Sequence, residues 1–387
     1  MAISPKQHDQ IRGRIVALVL DDFVNGLGVC RSLMKDPDIV VVCLARRMST
    51  VRFLSSRIVC IDPGSDLLGT LGEINELVEK AICYACSDAN LCLLMERKEE
   101  LTNFSIPFVN LDILEKSEQI RICNESKVLI PKTVVVAPDD AGRDCSGLSY
   151  PLMIKPASAH KKLFKAEIAE DQQRRDKLVA QCLEQGVEAV VAEYIPGGDE
   201  TLVTLGGYAF EGEILSSFTG RKRSQRPHKR GVACMAEAYE IDGILEPSAQ
   251  FIRHCGYTGL FQMEFKTHSE TKEHYFIEAN PRNWLWGYIA TVSGRNIART
   301  KFYREGLDKV VVESSPQTFN RFFVWVEAIF YNLVVCRSVS DFGLFFKLAL
   351  TKRPSFALIA GLNPLPFLVA KLNMILHPLG LISDKRR

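Results

Sequence analysis

The chain has 387 residues, 47% apolar and 24% charged, with 48 lysines and arginines against 46 acids and a formal net charge of +2. That length exceeds the roughly 100–200 residues of one domain, so two or three units with cores of their own are expected and a small cross-linked scaffold is excluded. The near balance of charge gives no global pull toward nucleic acid or membrane, so any electrostatic function has to be local.

The opening MAISPKQHDQIRGR has no apolar core of the kind a secretory leader needs, and the twelve cysteines follow no repeating spacing, so a reducing cytoplasm is the expected compartment. Ile15 to Leu20 (IVALVL) reads as a buried strand, followed by the loop DDFVNGLG, a helical pattern from Val29 to Met34 and a second strand from Ile39 to Leu44. Further strands are predicted at Ile58–Ile61 and Leu91–Leu94, with a helix over Leu67–Ala85 between them, giving a parallel α/β domain over about the first 110 residues. The turn Gly26-Leu27-Gly28 lacks the third glycine of a dinucleotide fingerprint. Cys83 and Cys86 form one C-x-x-C with Cys92 nearby, but no second pair or histidine follows at a zinc-like distance, so core packing is expected of them.

From Leu114 the texture changes to a short helix, the strand-like KTVVVAP, a loop from Asp139 to Ser149 and the strand PLMIKP. A charged helix across Ala169–Glu184 stops at Gly186, and the strands VEAVVAEYIPGG, LVTLGGYAF and GEILSSFTG follow, the last two around the turn Glu211-Gly212. Beyond about Val312 the chain is apolar and aromatic. Glu327, Asn332, Asn363 and Lys371 interrupt its richest stretches, which leaves a buried helical appendage or a surface-lying membrane or partner helix ahead of a spanning one.

In GLFQMEFKTHSETKEHYFIEAN, Gln262, Glu264 and Lys266 alternate with apolar residues on one strand, and Glu278 and Asn280 do so on the next. A hairpin centred near Thr271 places Glu264 opposite Glu278 and Gln262 opposite Asn280, with Tyr275, Ile277 and Ala279 on the core side. Like charges directly across a ladder repel, so the pair calls for a cation, and carboxylate and amide oxygens without histidine or thiolate select a hard ion such as magnesium. Two unrelated acids on a solvated face are the alternative. Arg282 favours the first arrangement, because its planar fork suits an anion beside the metal.

The run RKRSQRPHKR, Arg221 to Arg230, has six basic residues, His228 and no acid, and it suits a polyphosphate, a carboxylate, a nucleic acid or simply solvent. It lacks the interleaved aromatics of a single-strand binder, which favours a compact anion. Lys155 ends the strand LMIK immediately before Pro156, where a buried ammonium would reach an anion or else snorkel to water.

Together EKSEQ…LIPKT, YPLMIKP, VVAEYIPGGDE, FQMEFK and IEANPR resemble the ATP-grasp superfamily, in particular its carboxylate–amine ligase members related to carbamoyl-phosphate synthase and D-aspartate ligase. The resemblance runs from about Ile15 to about Arg304. It implies a fold of mixed α/β and α+β class, a Rossmann-like preATP-grasp domain over 1–112 with small and large ATP-grasp subdomains over 113–200 and 201–312; the apolar helical extension expected over 313–387 lies outside the shared core. It also implies that Lys116 and Lys155 contact ATP phosphates, that Glu193, Tyr194 and Ile195 form the hinge reading adenine, and that Glu200 meets the ribose. Glu264, Glu278 and Asn280 match the magnesium ligands, which also accept manganese, and Arg282 matches the arginine at the reacting groups. Lys155 and Arg221 join Arg282 as expected catalytic cations. The lid segment PASAHKKLFK departs from the family in having no glycine, with Lys165 the residue available there.

The expected reaction is transfer of a phosphoryl group from ATP to a substrate carboxylate, then attack of an amine on the acyl phosphate. The expected partners are small carboxylates and amines rather than nucleic acid, with membrane contact through the extension and oligomer formation as further expectations. A non-catalytic, membrane-recruited nucleotide-binding protein of the same fold is the alternative.

Overall fold

The computed structural model describes residues 3–158, 163–227, 231–311, 316–359 and 363–376. The first layer runs α1 (Pro5–Ile11), β1 (Ile15–Val19), α2 (Val24–Leu33), β2 (Val40–Leu44), β3 (Ile58–Ile61), α3 (Leu67–Leu77), β4 (Lys80–Tyr84), α4 (Asp88–Glu96) and β5 (Phe104–Ser105). Its five strands are parallel in the order β3-β2-β1-β4-β5. Strands covered by helices on both faces must be apolar throughout, as the buried runs of β1, β2 and β4 are.

Two sequence expectations fail here. The fourth strand is Lys80–Tyr84, inside the stretch read as one long helix, and Leu91–Leu94 is helical. The continuous apolar run Ala81–Tyr84 fits either element by periodicity, and Ser87 decides the matter by capping α4 through the Asn90 N–H. Gly26 also lies within α2 rather than in a turn. A Cβ there would meet the Asp21 carbonyl oxygen at 1.9 Å, so the glycine lets the helix start back directly onto the β1 loop.

Next come α5 (Lys116–Ser126), β6 (Thr133–Val136), β7 (Leu152–Pro156), β8 (Glu167–Ala169), α6 (Gln172–Leu183) and β9 (Ala189–Glu193). The four strands form an antiparallel sheet ordered β6-β9-β7-β8, with α6 packed on it through Leu178 and Cys182. The helix α5 instead packs on the larger body that follows.

That body contains β10 (Leu202–Phe210), β11 (Glu213–Arg226), β12 (Val232–Ala238), α7 (Leu245–Cys255), β13 (Gly259–Thr267), β14 (His274–Asn280), α8 (Tyr288–Val292) and α9 (Ile297–Leu307). The chain then adds β15 (Arg321–Val324), α10 (Val326–Val334), α11 (Ser340–Thr351), β16 (Arg353–Phe356) and α12 (Leu365–Leu376). One seven-stranded sheet results, ordered β14-β13-β10-β11-β12-β15-β16. The extension expected to be helical therefore also contributes two edge strands, and the run FFVWVEAIFYNLVVC divides into β15 and α10 at Trp325. No helix among the described residues is long and apolar enough to cross a membrane.

The first layer is fastened to the large body through α9, which carries a buried ion pair of its own. Lys301 and Glu305 on α9 lie 2.6 Å apart with side chains 1% and 3% exposed, and the Lys80 ammonium and Tyr84 hydroxyl donate to the carbonyls of Glu305 and Ala298.

Candidate functional site

A cleft of about 1440 Å³ lies between the small and large sheets, with Asp88 of the first layer at one end. Its floor is the carboxylate hairpin. β13 and β14 pair in the expected register, Gln262 opposite Asn280 and Glu264 opposite Glu278. A bulge then leaves Ile277 between the Glu264–Glu278 and Phe265–Phe276 pairs, so the strict alternation breaks. Phe276, rather than Tyr275 or Ile277, turns into the core, where it stacks on Phe251 and meets Phe265 edge-on.

Three lysines from separate elements converge on the two acids. Lys222 of β11 donates to Glu264 Oε2 at 2.8 Å, and Gln262 Nε2 donates to its other oxygen at 2.9 Å. Lys116, the first residue of α5, holds its ammonium 3.8 Å from Glu278. Lys155, on β7 across the cleft, is the third. Burial lowers its pKa; Glu278 opposes that shift, and the neighbouring Lys116 adds to it. More cation than anion is held over this floor, which is the electrostatics of a site for a polyanion.

The expected hinge also lines the cleft. At the end of β9, Glu193 accepts from the Ser149 N–H at 2.9 Å and the Tyr194 N–H donates to Pro151 O at 3.1 Å, while Ile195 is buried. Glu200 follows in a 3-10 turn over Asp199–Thr201. Lys266 connects hinge and floor by donating to Gly197 O at 2.9 Å under the Tyr194 ring. Burial lowers its pKa, against the pull of Asp199 and Glu200.

At the far end, Arg282 donates to Asp88 at 2.5 Å and to Asn280 Oδ1 at 3.0 Å, linking the first layer to the hairpin. Arg221 is not in this group. Strand alternation turns it to the other face of β11, where it donates to Glu237 at 2.8 Å and lies over the Tyr239 ring. Its neighbour Lys222 takes the place expected of it. The signal was in the pairing: Glu264 faces Thr204 on β10, Thr204 faces Gly220 on β11, and Lys222 is two residues along the same face.

The side chains of the described part of the basic run already have partners, and Lys222 and Arg223 border the cleft. Arg223 joins Arg221 on Glu237, and Arg226 lies over the rings of Tyr331 and Trp325. His228, Lys229 and Arg230 lie outside the described residues, as do 159–162 of the lid segment, whereas Lys165 borders the cleft.

The carboxy-terminal extension adds a wall that the sequence pattern does not reveal. Ser340, Asp341 and Leu344 of α11 border the cleft. Asp341 accepts from Ser224 at 2.6 Å and from Asn332 at 2.7 Å, and Asn332 also donates to Gln225 O. Lys352 joins Arg221 and Arg223 on Glu237. Both networks grip β11 on either side of Lys222, where its register with β12 shifts.

The hairpin's donors suit a hard cation. Among the described residues no three histidines, cysteines or acids cluster as a metal site, so the donor set is two carboxylates and the Asn280 amide oxygen. Thr204, beside Glu264 in the ladder, has a buried hydroxyl without a partner, which marks the floor as incompletely satisfied. Cys83 and Cys86 are buried, and burial pushes both thiols up, as packing residues require.

No family model and no curated protein sequence matches the chain. Solved structures do. Biotin carboxylase from Campylobacter jejuni, solved as a β-γ-ATP complex, is 15% identical with a TM-score of 0.60 over 79% of this chain and 74% of its own. Carboxyaminoimidazole ribonucleotide synthase from Aspergillus clavatus, complexed with ATP, is 12% identical with a TM-score of 0.57 over 78% and 79%. Phosphoribosylamine–glycine ligase from Thermotoga maritima is 15% identical with a TM-score of 0.54 over 79% and 78%. The likeness to these structures gives the chain the ATP-grasp fold, built here as a parallel layer, a four-stranded antiparallel sheet and a seven-stranded sheet that is antiparallel except between β15 and β16.

Proposed function

We propose that the chain is an ATP-dependent, ADP-forming ligase that activates a substrate carboxylate as an acyl phosphate and joins it to an amine. The observation that carries this reading is the Glu264–Glu278 pair, held in register on the cleft floor beneath Lys116, Lys155 and Lys222. Acids facing each other across a ladder are unfavourable unless a cation is bound there, and lysines in excess need an anion. A metal-nucleotide supplies both.

In this reading Glu193, Tyr194 and Ile195 bind adenine. The Glu193 and Tyr194 N–H groups are already given to Lys132 O and Pro151 O, so of the three hinge residues it is the Ile195 N–H that is left to pair with the base. Glu200 holds the ribose, and Lys116, Lys155 and Lys222 hold the phosphates. Glu264, Glu278 and Asn280 would hold magnesium, which when bound neutralises phosphate charge and orients the oxygens for in-line transfer. The substrate carboxylate oxygen attacks the terminal phosphorus, the bond to the ADP oxygen breaks, and the amine nitrogen then displaces phosphate from the acyl carbon and loses a proton. Arg282, beside Asn280, would stabilise the negative charge that both steps gather without changing protonation. No side-chain nucleophile is needed. The reading divides the chain near residues 112, 200 and 312 into preATP-grasp, small, large and carboxy-terminal units.

The test is a screen for ADP release over pooled carboxylates and amines with magnesium present, with product mass measured. The expected outcome is release that requires one carboxylate and one amine together, with a product lighter than their sum by one water. ATP binding without release in any pool would instead favour the non-catalytic alternative.

A further inference from the structure

About half of the large apolar side chains that stand exposed among the described residues fall in one short stretch, from Phe330 to Leu372. Val334 is 73% exposed, Val339 72% and Leu350 87%. They are ordered by helical spacing. On α10, Phe330 and Val334 point out while Ala328, Ile329 and Asn332 are buried; on α11, Phe346 and Leu350 point out while Asp341 and Leu348 are buried. The Phe330 and Phe342 rings pack edge-on at 5.6 Å to join the two helices, and Lys371 of α12 reaches Glu327 of α10 at 3.7 Å.

Charge on this surface has one sign. From Val326 to Leu372 the sequence has two acids, and both are withdrawn: Glu327 has a side chain 10% exposed and Asp341 is 1% exposed. Arg337, Lys347 and Arg353 are exposed, and no acid pairs with them among the described residues. Lys347 lies between Phe346 and Leu350 on the outward face of α11. Apolar side chains rimmed by cations on short helices, none able to span, match what a bilayer surface with anionic headgroups binds. A second copy of the chain is a poor occupant. The exposed charges on this face are all basic, so a two-fold interface built on it would set the cations of one copy against those of the other with no exposed acid of the face to pair them.

We propose that the outer face of α10 and α11 docks on an anionic lipid surface, with Phe330, Val334, Phe346 and Leu350 entering the acyl boundary and Lys347 and Arg337 meeting headgroups. The same α11 borders the cleft through Asp341 and Leu344, so docking would place the cleft close to the bilayer.

The experiment is co-sedimentation of the full chain with vesicles of equal parts phosphatidylglycerol and phosphatidylcholine, and with phosphatidylcholine alone. Partition into the anionic vesicles should exceed that into neutral ones by at least about tenfold. Phe346→Glu with Leu350→Glu should lower it by at least about tenfold, and Lys347→Glu with Arg337→Glu should remove the preference for anionic lipid. Melting temperatures close to that of the parent would show that these surface variants fold. An environment-sensitive dye on the exposed Cys336 should shift to the blue with anionic vesicles only. Failure to sediment with either vesicle would overturn the proposal, as would partition that the double apolar variant leaves unchanged. So would a dimer in solution that Phe346→Glu dissociates, because a second copy would then cover the face.

Discussion

Glu264 and Glu237 occupy neighbouring parts of the same seven-stranded sheet, both nearly out of reach of water, and they are satisfied in opposite ways. Glu237 accepts from Arg221 at 2.8 Å, Arg223 at 2.5 Å and Lys352 at 2.8 Å. Glu264 has one cation, Lys222, and a second carboxylate directly across the ladder. An acid bound by three cations has nothing left to offer a ligand. An acid that shares its surroundings with another acid gains from every further cation brought near. The balance of counter-charge, rather than burial, distinguishes a structural acid from one suited to binding.

The largest effect should come from emptying the saturated site. Glu237→Ala leaves two arginines and a lysine buried or half-buried around a vanished carboxylate and should cost about 3–5 kcal/mol of stability, read from urea unfolding. A loss below about 1 kcal/mol would mean that the three cations reach water on their own and that the two acids do not differ in kind.

Next in size is the unsaturated site. Glu278→Gln should reduce ADP release by about a hundredfold or more and remove the magnesium-dependent part of ATP's thermal stabilisation. The unliganded chain should melt nearly as before, because the Glu278 side chain is 35% exposed and its ammonium partner stands 3.8 Å away. Unchanged stabilisation by ATP with magnesium would move the metal away from the hairpin.

Acid should test the saturated site as well. Burial works to raise the Glu237 carboxyl, but hydrogen bonds from Lys352, Arg223 and Arg221 outweigh it and hold it at about 2, against an ordinary value of 4.5. A depressed pKa in the folded chain stabilises at pH above the unfolded value, and that stability is lost as pH falls from about 4.5 toward about 2. The unfolding free energy should therefore drop across that window, and Glu237→Ala should flatten this part of the curve.

The hairpin is legible in the sequence because alternation has a period of two and a short polar connector sets the register, so spacing alone places Glu264 and Glu278 opposite each other. What the alternation could not show was the bulge at Ile277, which depends on Phe276 finding Phe251 and Phe265. Lys222 was hidden for a related reason. Choosing between it and Arg221 requires the pairing of β10 with β11, a local hairpin, and then of β10 with β13, whose paired residues lie 50 or more positions apart. The role of the extension was the least legible. Arg321–Val324 and Arg353–Phe356 are four residues each, too short for a periodic signal, and they become strands only by adding to a sheet built earlier in the chain.

The smallest effect sharpens the comparison most, because it separates adjacent residues. Arg221→Ala removes one of three cations from Glu237 and leaves Arg223 and Lys352 in place, so stability should fall by only about 0.5–1.5 kcal/mol. ATP affinity should stay within about twofold of the parent, since Arg221 lies on the face away from the cleft and a surface-type loss does not reach the phosphates. Lys222→Ala, one residue along, should weaken ATP binding by about tenfold or more, because it removes the partner of Glu264 and, in the proposed reading, a cation for the phosphates. Binding measured by calorimetry on the two variants decides the matter. Equal losses would mean that the β11 backbone, whose register shifts just beyond Lys222, lets either side chain reach the cleft, and the division of the sheet into a saturated and an open face would fail.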